Sequence, residues 1–226
     1  MLIYIVKTND LRYWHLYEFL KKDKECEYSN FMPMKNNINS LVLPMDGIDE
    51  FGYIKHTNLN LENIIKLNKI EVIYTGKVNK SLFRICQLNK IQIHSFYADN
   101  NFVNNELVFK FEVIKVFLEE KFSSRFEDIN VLVLGNNFPL NSISKNLFME
   151  KELKNNLSFY DAIINFSEQD LSFYKDKVII EMNEISNIDL AIILNCKKIY
   201  FINQLLSQYL TKSGGKMIYD SMVKRW

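Results

Sequence analysis

Short apolar runs alternate with longer segments of mixed polarity along the whole chain. The runs at 2–6, 41–44, 71–75, 91–96, 131–134, 162–166, 177–182 and 198–202 are rich in β-branched and other apolar residues and too short for helices. A strand buried on both faces of a parallel sheet reads this way, because neither face can be polar. The segments between them predict helices at 10–21, 60–68, 80–89, 104–122, 139–154, 167–174, 187–194 and 203–212. Strand and helix in alternation implies βαβ units, hence an α/β class with parallel sheets covered by helices.

One helical segment departs from the amphipathic pattern. Leu107, Val108, Phe109, Phe111, Val113, Ile114, Val116, Phe117 and Leu118 cover more than one face of a helix, so that helix must be buried on several sides. A helix wedged between two lobes meets that condition; the alternative is the central helix of a single domain. The two-lobe reading divides the chain into a flavodoxin-like lobe over 1–125 that ends in the interlobe helix and a truncated, degenerate Rossmann-like lobe over 126–212. A C-terminal helix over 213–226 then packs back on the first lobe. Gly214-Gly215-Lys216 lacks the upstream glycine and the following Ser or Thr of a phosphate loop. It reads instead as a helix stop before a last amphipathic segment.

Charge and cysteine content narrow the class. Among 226 residues, 28 Lys and Arg stand against 27 Asp and Glu, so no net field draws in nucleic acid or an anionic membrane. Cys26, Cys86 and Cys196 lie far apart, which suits buried free thiols rather than a zinc knuckle or a disulfide framework. No apolar run approaches the roughly 18 residues of a membrane span. The N-terminus lacks the basic, apolar and small-residue zones of a secretory leader. The expectation is a cytoplasmic protein.

The chemistry should lie where 131–134 runs into Gly135. In a dinucleotide site three glycines follow the first strand: one makes the turn, one lets pyrophosphate approach, and one lets the helix pack on the strand. Only Gly135 stands in register, with Asn137 and Leu140 at the second and third positions. Pro139 is compatible with a first helical turn, whose free N–H groups can hold a small anion; a plain strand-to-helix connection is the other reading. Gly135, Asn137 and Pro139 are thus the cofactor-binding candidates. A Rossmann half also needs a second strand ending in an acid roughly 20 positions on. Glu150 and Glu152 fall near that distance, but in Leu147-Phe-Met-Glu-Lys-Glu-Leu153, which reads as a helix. The second strand, one helix and the ribose clamp are expected to be missing.

Elsewhere, Asp46, Asp49 and Glu50 follow a strand end, where ligand loops often lie. A solvated turn is expected there, with no metal. His15, His56 and His94 have no partner motif, and alternation puts His94 on a strand surface. Asp99 is placed to start the long helix.

Taken in order, several short motifs resemble those of the dipicolinate synthase A family. They are Leu41-Val-Leu-Pro-Met-Asp-Gly-Ile-Asp-Glu-Phe-Gly52, Ile73-Tyr-Thr-Gly-Lys-Val-Asn-Lys-Ser-Leu82, the segment 96–118 with Glu112 near a recurrent glutamate, Val131 to Gly135, Asp161-Ala-Ile-Ile-Asn165, and Leu210-Thr-Lys-Ser-Gly214. The resemblance implies a sporulation setting, a dipicolinate synthase B-type flavoprotein partner, and nicotinamide-dependent oxidation of a dihydrodipicolinate-type precursor. It makes Asp46, Gly76 and Glu112 the substrate or cleft candidates. The departures are equally specific. Asn165-Phe-Ser-Glu168, Glu181-Met-Asn-Glu-Ile-Ser186 and Asn203-Gln-Leu-Leu206 each lack a Gly or Pro of the family's cleft loops. The reading that follows is a non-catalytic descendant that binds a protein or small molecule and holds no nicotinamide. The alternative is a working NAD(P)-dependent oxidoreductase, and a third reading is a metabolite sensor. Self-association is compatible with each.

Overall fold

The computed structural model describes residues 2–33, 37–135, 145–151, 157–167, 169, 171, 176–182 and 198–224. The expected helix at 187–194, most of that at 167–174, and Cys196 lie outside the described residues. The chain forms two compact units, Met1–Glu106 with Leu210–Trp226 and Leu107–Tyr209, so the division falls inside the long helix.

In the first unit, strands β1 (Leu2–Val6), β2 (Glu25–Ser29), β3 (Ile38–Val42), β4 (Val72–Thr75) and β5 (Gln92–Ser95) form one sheet in the order β2-β1-β3-β4-β5. Every pairing is parallel. Each residue of β1 is buried, as a strand neighbouring two others under two helical layers requires. On one face Tyr4, Leu41, Ile73, Ile64 and Leu82 form a core; on the other Ile3, Ile5, Tyr13, Leu16 and Tyr74 form a second. Helices α1 (Leu11–Leu20), α2 (Leu61–Leu67) and α3 (Lys80–Asn89) start where the side chains of Asp10, Asn60 and Asn79 accept hydrogen bonds from free N–H groups of the first turn. Asp99 does the same for α4 (Asn100–Phe122), accepting from the Asn101 N–H at 2.9 Å.

Strand β2 was absent from the sequence expectation. Glu25-Cys-Glu-Tyr-Ser29 has poor strand propensity, and it is a strand because β1 offers it a ladder on the sheet's edge.

The second unit repeats the plan. Strands β6 (Val131–Leu134), β7 (Leu147–Glu150), β8 (Ala162–Asn165), β9 (Val178–Glu181) and β10 (Ile199–Phe201) are parallel, in the order β10-β9-β8-β6-β7. Numbered within each lobe, both sheets run 2-1-3-4-5, the flavodoxin-like doubly wound order. The expected helix at 139–154 is therefore corrected: Leu147–Glu150 is a strand in register with β6. Leu, Met and Glu favour helices by a few tenths of a kcal/mol per residue, about what one backbone ladder can override. The second Rossmann strand is thus present. Against the six-stranded dinucleotide order 3-2-1-4-5-6, the strand lacking among the described residues is the third.

Helix α5 (Ile202–Gln208) leaves β10, and α6 (Thr211–Val223) packs on α1 within the first unit, placing Ile218 and Met222 in the core with Tyr13 and Leu20. Gly214 and Gly215 lie inside α6 rather than ending a helix. The reason is the close approach to α1: a Cβ on Gly215 would stand 2.6 Å from His15 Cβ and 2.7 Å from the Arg12 carbonyl oxygen.

Candidate functional site

In a doubly wound sheet the loops after two neighbouring strands diverge to opposite faces at the switch point, leaving a crevice at the carboxyl ends. In the second unit that point lies between β6 and β8. Register sets Leu134 opposite both Glu150 and Asn165, and Asn165 opposite Glu181. The carboxyl edge therefore reads Glu150, Gly135, Asn165, Glu181 across four adjacent strands, which at about 4.8 Å per strand span roughly 14 Å.

Gly135 has φ of +102°, and a Cβ there would lie 3.0 Å from Phe166 Cβ and 3.1 Å from its carbonyl carbon. Only glycine fits both the backbone conformation and the space. Its N–H donates to the Glu150 carbonyl at 3.0 Å, fixing the end of β7 against the turn. Asn165 is buried; its Oδ1 accepts from the Ser167 N–H at 3.0 Å and from Ser167 Oγ at 2.6 Å, and its Nδ2 donates to the Gln169 carbonyl at 3.3 Å. This amide shapes the turn after β8. Glu181 is buried at the end of β9, and Glu150 is half-buried at the end of β7.

The matching edge of the first unit is built differently. Arg12, in the first turn of α1, keeps a side-chain exposure of 5%. Its Nε donates to both Asp10 carboxylate oxygens, at 3.0 and 2.9 Å, and its Nη2 donates to Oδ2. Burial alone would lower the Arg12 pKa, but the Asp10 carboxylate, with Tyr13 and Glu106 nearby, carries it above its ordinary value. Glu106 of α4 is buried and accepts from the Tyr97 hydroxyl at 3.2 Å. Burial, and then the Glu106 charge, push the Tyr97 phenol above its usual range. Tyr13, also raised by burial, donates its hydroxyl to the Leu43 carbonyl at 3.1 Å.

Of the residues singled out from sequence, Asp46 and Gly76 meet at this edge. The Lys77 N–H donates to the Met45 carbonyl at 2.8 Å, and a Cβ on Gly76 would stand 2.5 Å from that oxygen and 2.9 Å from Tyr97 Cε2. Asp46 Oδ2 lies 3.2 Å from His56 Nε2. Glu112 is exposed on α4 and belongs to the second unit. Gly135 stands at the switch point, while Asn137 and Pro139 lie outside the described residues. Among the described residues, no cluster of three or more His, Cys, Asp or Glu is placed to hold a metal ion. His94 is half-buried and stacks on Tyr74, with centroids 5.3 Å apart.

Sequence reasoning missed Arg12, Tyr97 and Glu106, and misplaced Glu150. A usable signal existed for two of them. Arg12 falls on the buried stripe of α1 with Leu16 and Leu20, and Glu106 on that of α4 with Phe102, Phe109 and Val113. A charge in an apolar stripe at helical spacing marks a buried ion pair.

Solved structures of other proteins contain parallel α/β lobes of this kind. The structure of D-lactate dehydrogenase from Escherichia coli matches 99% of this chain with 95% of its own, at a TM-score of 0.54 and 10% identity. The likeness is greater to dipicolinate synthase, in its A component. The Bacillus halodurans structure matches 99% of this chain and 97% of its own at a TM-score of 0.69 and 14% identity. The Bacillus subtilis counterpart matches 100% and 95%, at 0.61 and 13%. At such identities the likeness is one of fold, and it runs the length of the chain. No protein-family model and no curated protein matches the sequence. Among the described residues, no helix is long and apolar enough to cross a membrane.

Proposed function

We propose that the second lobe binds an adenine dinucleotide at the switch point, with Glu150 accepting the hydroxyls of the adenosine ribose, and that the chain is an NAD-linked oxidoreductase of the dipicolinate synthase A type. The observation that carries this reading is β7, in register with β6 and ending in a carboxylate beside the Gly135 turn. A nicotinamide dinucleotide supplies hydride transfer when bound. The chain's own contribution is positional. Gly135 clears the ground at the end of β6, Glu150 places a carboxylate at the end of β7 where a vicinal diol would sit, and Asn165 shapes the β8 turn beside them. A carboxylate at that position repels a 2′-phosphate, which favours NADH over NADPH. The resemblance adds a dihydrodipicolinate-type substrate, a cytoplasmic sporulation setting and a B-type flavoprotein partner.

A second reading, binding without catalysis, is favoured by Asn137 and Leu140 at the positions of the second and third fingerprint glycines. Thermal melts with NADH and NADPH separate the two. At about 100 times its dissociation constant a ligand stabilises the native state by roughly 2.7 kcal/mol, which moves the midpoint of a chain this size by about 5–10 °C. A shift with NADH larger than that with NADPH is expected. No shift with either, from a protein that melts cooperatively, hands the lead to the second reading.

A further inference from the structure

We infer that the first lobe holds a ligand site of its own, in which Arg12 anchors the carboxylate of a small amino acid and Glu106 receives its ammonium group. The observation that carries this is an orphaned donor. Arg12 is buried, and among the described residues its Nη1 has no hydrogen-bond partner. Buried side-chain donors are nearly always paired, with the protein or with something the protein binds.

The geometry around Arg12 says what would pair. Asp10 occupies one edge of the guanidinium: Nε donates to both of its carboxylate oxygens and Nη2 to one of them. The edge left over is the end-on fork, Nη1 with the outer N–H of Nη2. Two parallel donors in one plane match the two oxygens of a carboxylate. A guanidinium whose task ended at Asp10 would keep its second edge in water, as long cationic side chains generally do. This one has a side-chain exposure of 5%. Its place in the fold agrees. Arg12 stands just past the end of β1, and the switch point of this sheet falls between β1 and β3, where a doubly wound sheet takes its ligand.

Charge completes the choice. Glu106 is buried, accepts from the Tyr97 hydroxyl at 3.2 Å, and acts electrostatically on the Arg12 guanidinium. With Asp10, two carboxylates thus face one guanidinium. A bare anion such as phosphate adds further negative charge and is disfavoured. An amino acid adds none: its carboxylate meets the fork and its ammonium meets Glu106, which can accept from it while holding Tyr97. Tyr97 is itself 36% exposed, so the buried pair lies close beneath the surface. The room is limited, since a Cβ on Gly76 would already stand 2.9 Å from Tyr97 Cε2, and a small ligand follows. Nothing in this inference depends on the dinucleotide reading of the second lobe.

The test reads the Nε–H signal of Arg12 in the full chain, which has only four arginines. Arg12→Lys, which keeps a positive charge beside Asp10 and lacks the fork, assigns that signal by its loss. Alanine and proline are titrated to about 20 mM, enough to detect millimolar dissociation constants. Each is compared with its counterpart lacking nitrogen, propionate or cyclopentanecarboxylate. At least one amino acid is expected to move the signal saturably, with its counterpart binding at least about tenfold more weakly, the loss that goes with a charged hydrogen bond. Glu106→Gln keeps an acceptor for Tyr97 and should bring the two within about threefold of each other. Read from the ligand's own signals, binding to Arg12→Lys should fall at least about tenfold. Glu150→Gln should change none of this. The inference is overturned if neither amino acid moves the Arg12 signal, which would leave the fork to buried water. It is equally overturned if the counterparts or inorganic phosphate bind as well as the amino acids, or if Glu106→Gln leaves the preference intact.

Discussion

The two lobes share one strand order and use its carboxyl edge in opposite ways. In the first, Arg12 and Glu106 are buried, Arg12 against the half-buried Asp10 and Glu106 accepting from the exposed Tyr97. In the second, acids stand at the strand ends themselves, Glu150 on β7 and Glu181 on β9, with a glycine that tolerates no side chain between them. The topology provides a crevice in both cases, and under the proposed function that of the second lobe takes the dinucleotide. Fold likeness alone would not have distinguished them.

The contrast is sharpest at Arg12. If its network is structural, Arg12→Leu should lower unfolding free energy by about 3–5 kcal/mol in urea, because Asp10 and Glu106 lose their buried counter-charge. NADH affinity per folded molecule should stay within twofold. A large loss of affinity with little loss of stability would invert the roles assigned to the two edges.

Gly135→Ala comes next. The φ of +102° and the contact with Phe166 together predict a loss of about 2 kcal/mol, read in the same denaturant titration, accompanied by weaker NADH binding. Alanine tolerated without cost would mean that the turn after β6 is not fixed as described.

A further effect is a pH dependence carried by two thiols of the first lobe. Burial raises the Cys26 and Cys86 thiols from the ordinary 9.0 to about 11. In the unfolded chain they ionise near 9, so their contribution to stability is complete below that pH and is lost as pH rises toward 11. The urea midpoint should fall between pH 8.5 and about 11, and replacing both thiols by alanine should flatten that fall.

Much of this architecture is legible in the chain. Strands β1, β6, β8 and β9 are buried along their whole length, so their apolar runs leave no choice of face. The two strands that escaped, β2 and β7, occupy the same place in their lobes, at the edge beside the first strand. An edge strand has one ladder neighbour and a partly wet surface, so it can carry Glu25, Glu27, Met149 and Glu150. Local propensity then points elsewhere, and only the pairing with β1 or β6 restores the strand. Losing β7 also hid Glu150, because an acid gains its meaning from standing at a strand end. Asp46 and Gly76 lie in loops that a strand followed by turn residues makes visible in sequence, whereas the Tyr97–Glu106 contact joins a turn to a helix and is set only by packing.

The most direct measurement is a calorimetric titration of NADH into the wild-type chain and into Glu150→Gln. The account predicts saturable binding to the wild type and at least about tenfold weaker binding to the variant, the loss expected when a charged acceptor leaves a hydroxyl pair. Equal affinity in the two proteins, or no binding to a folded wild type, would contradict it.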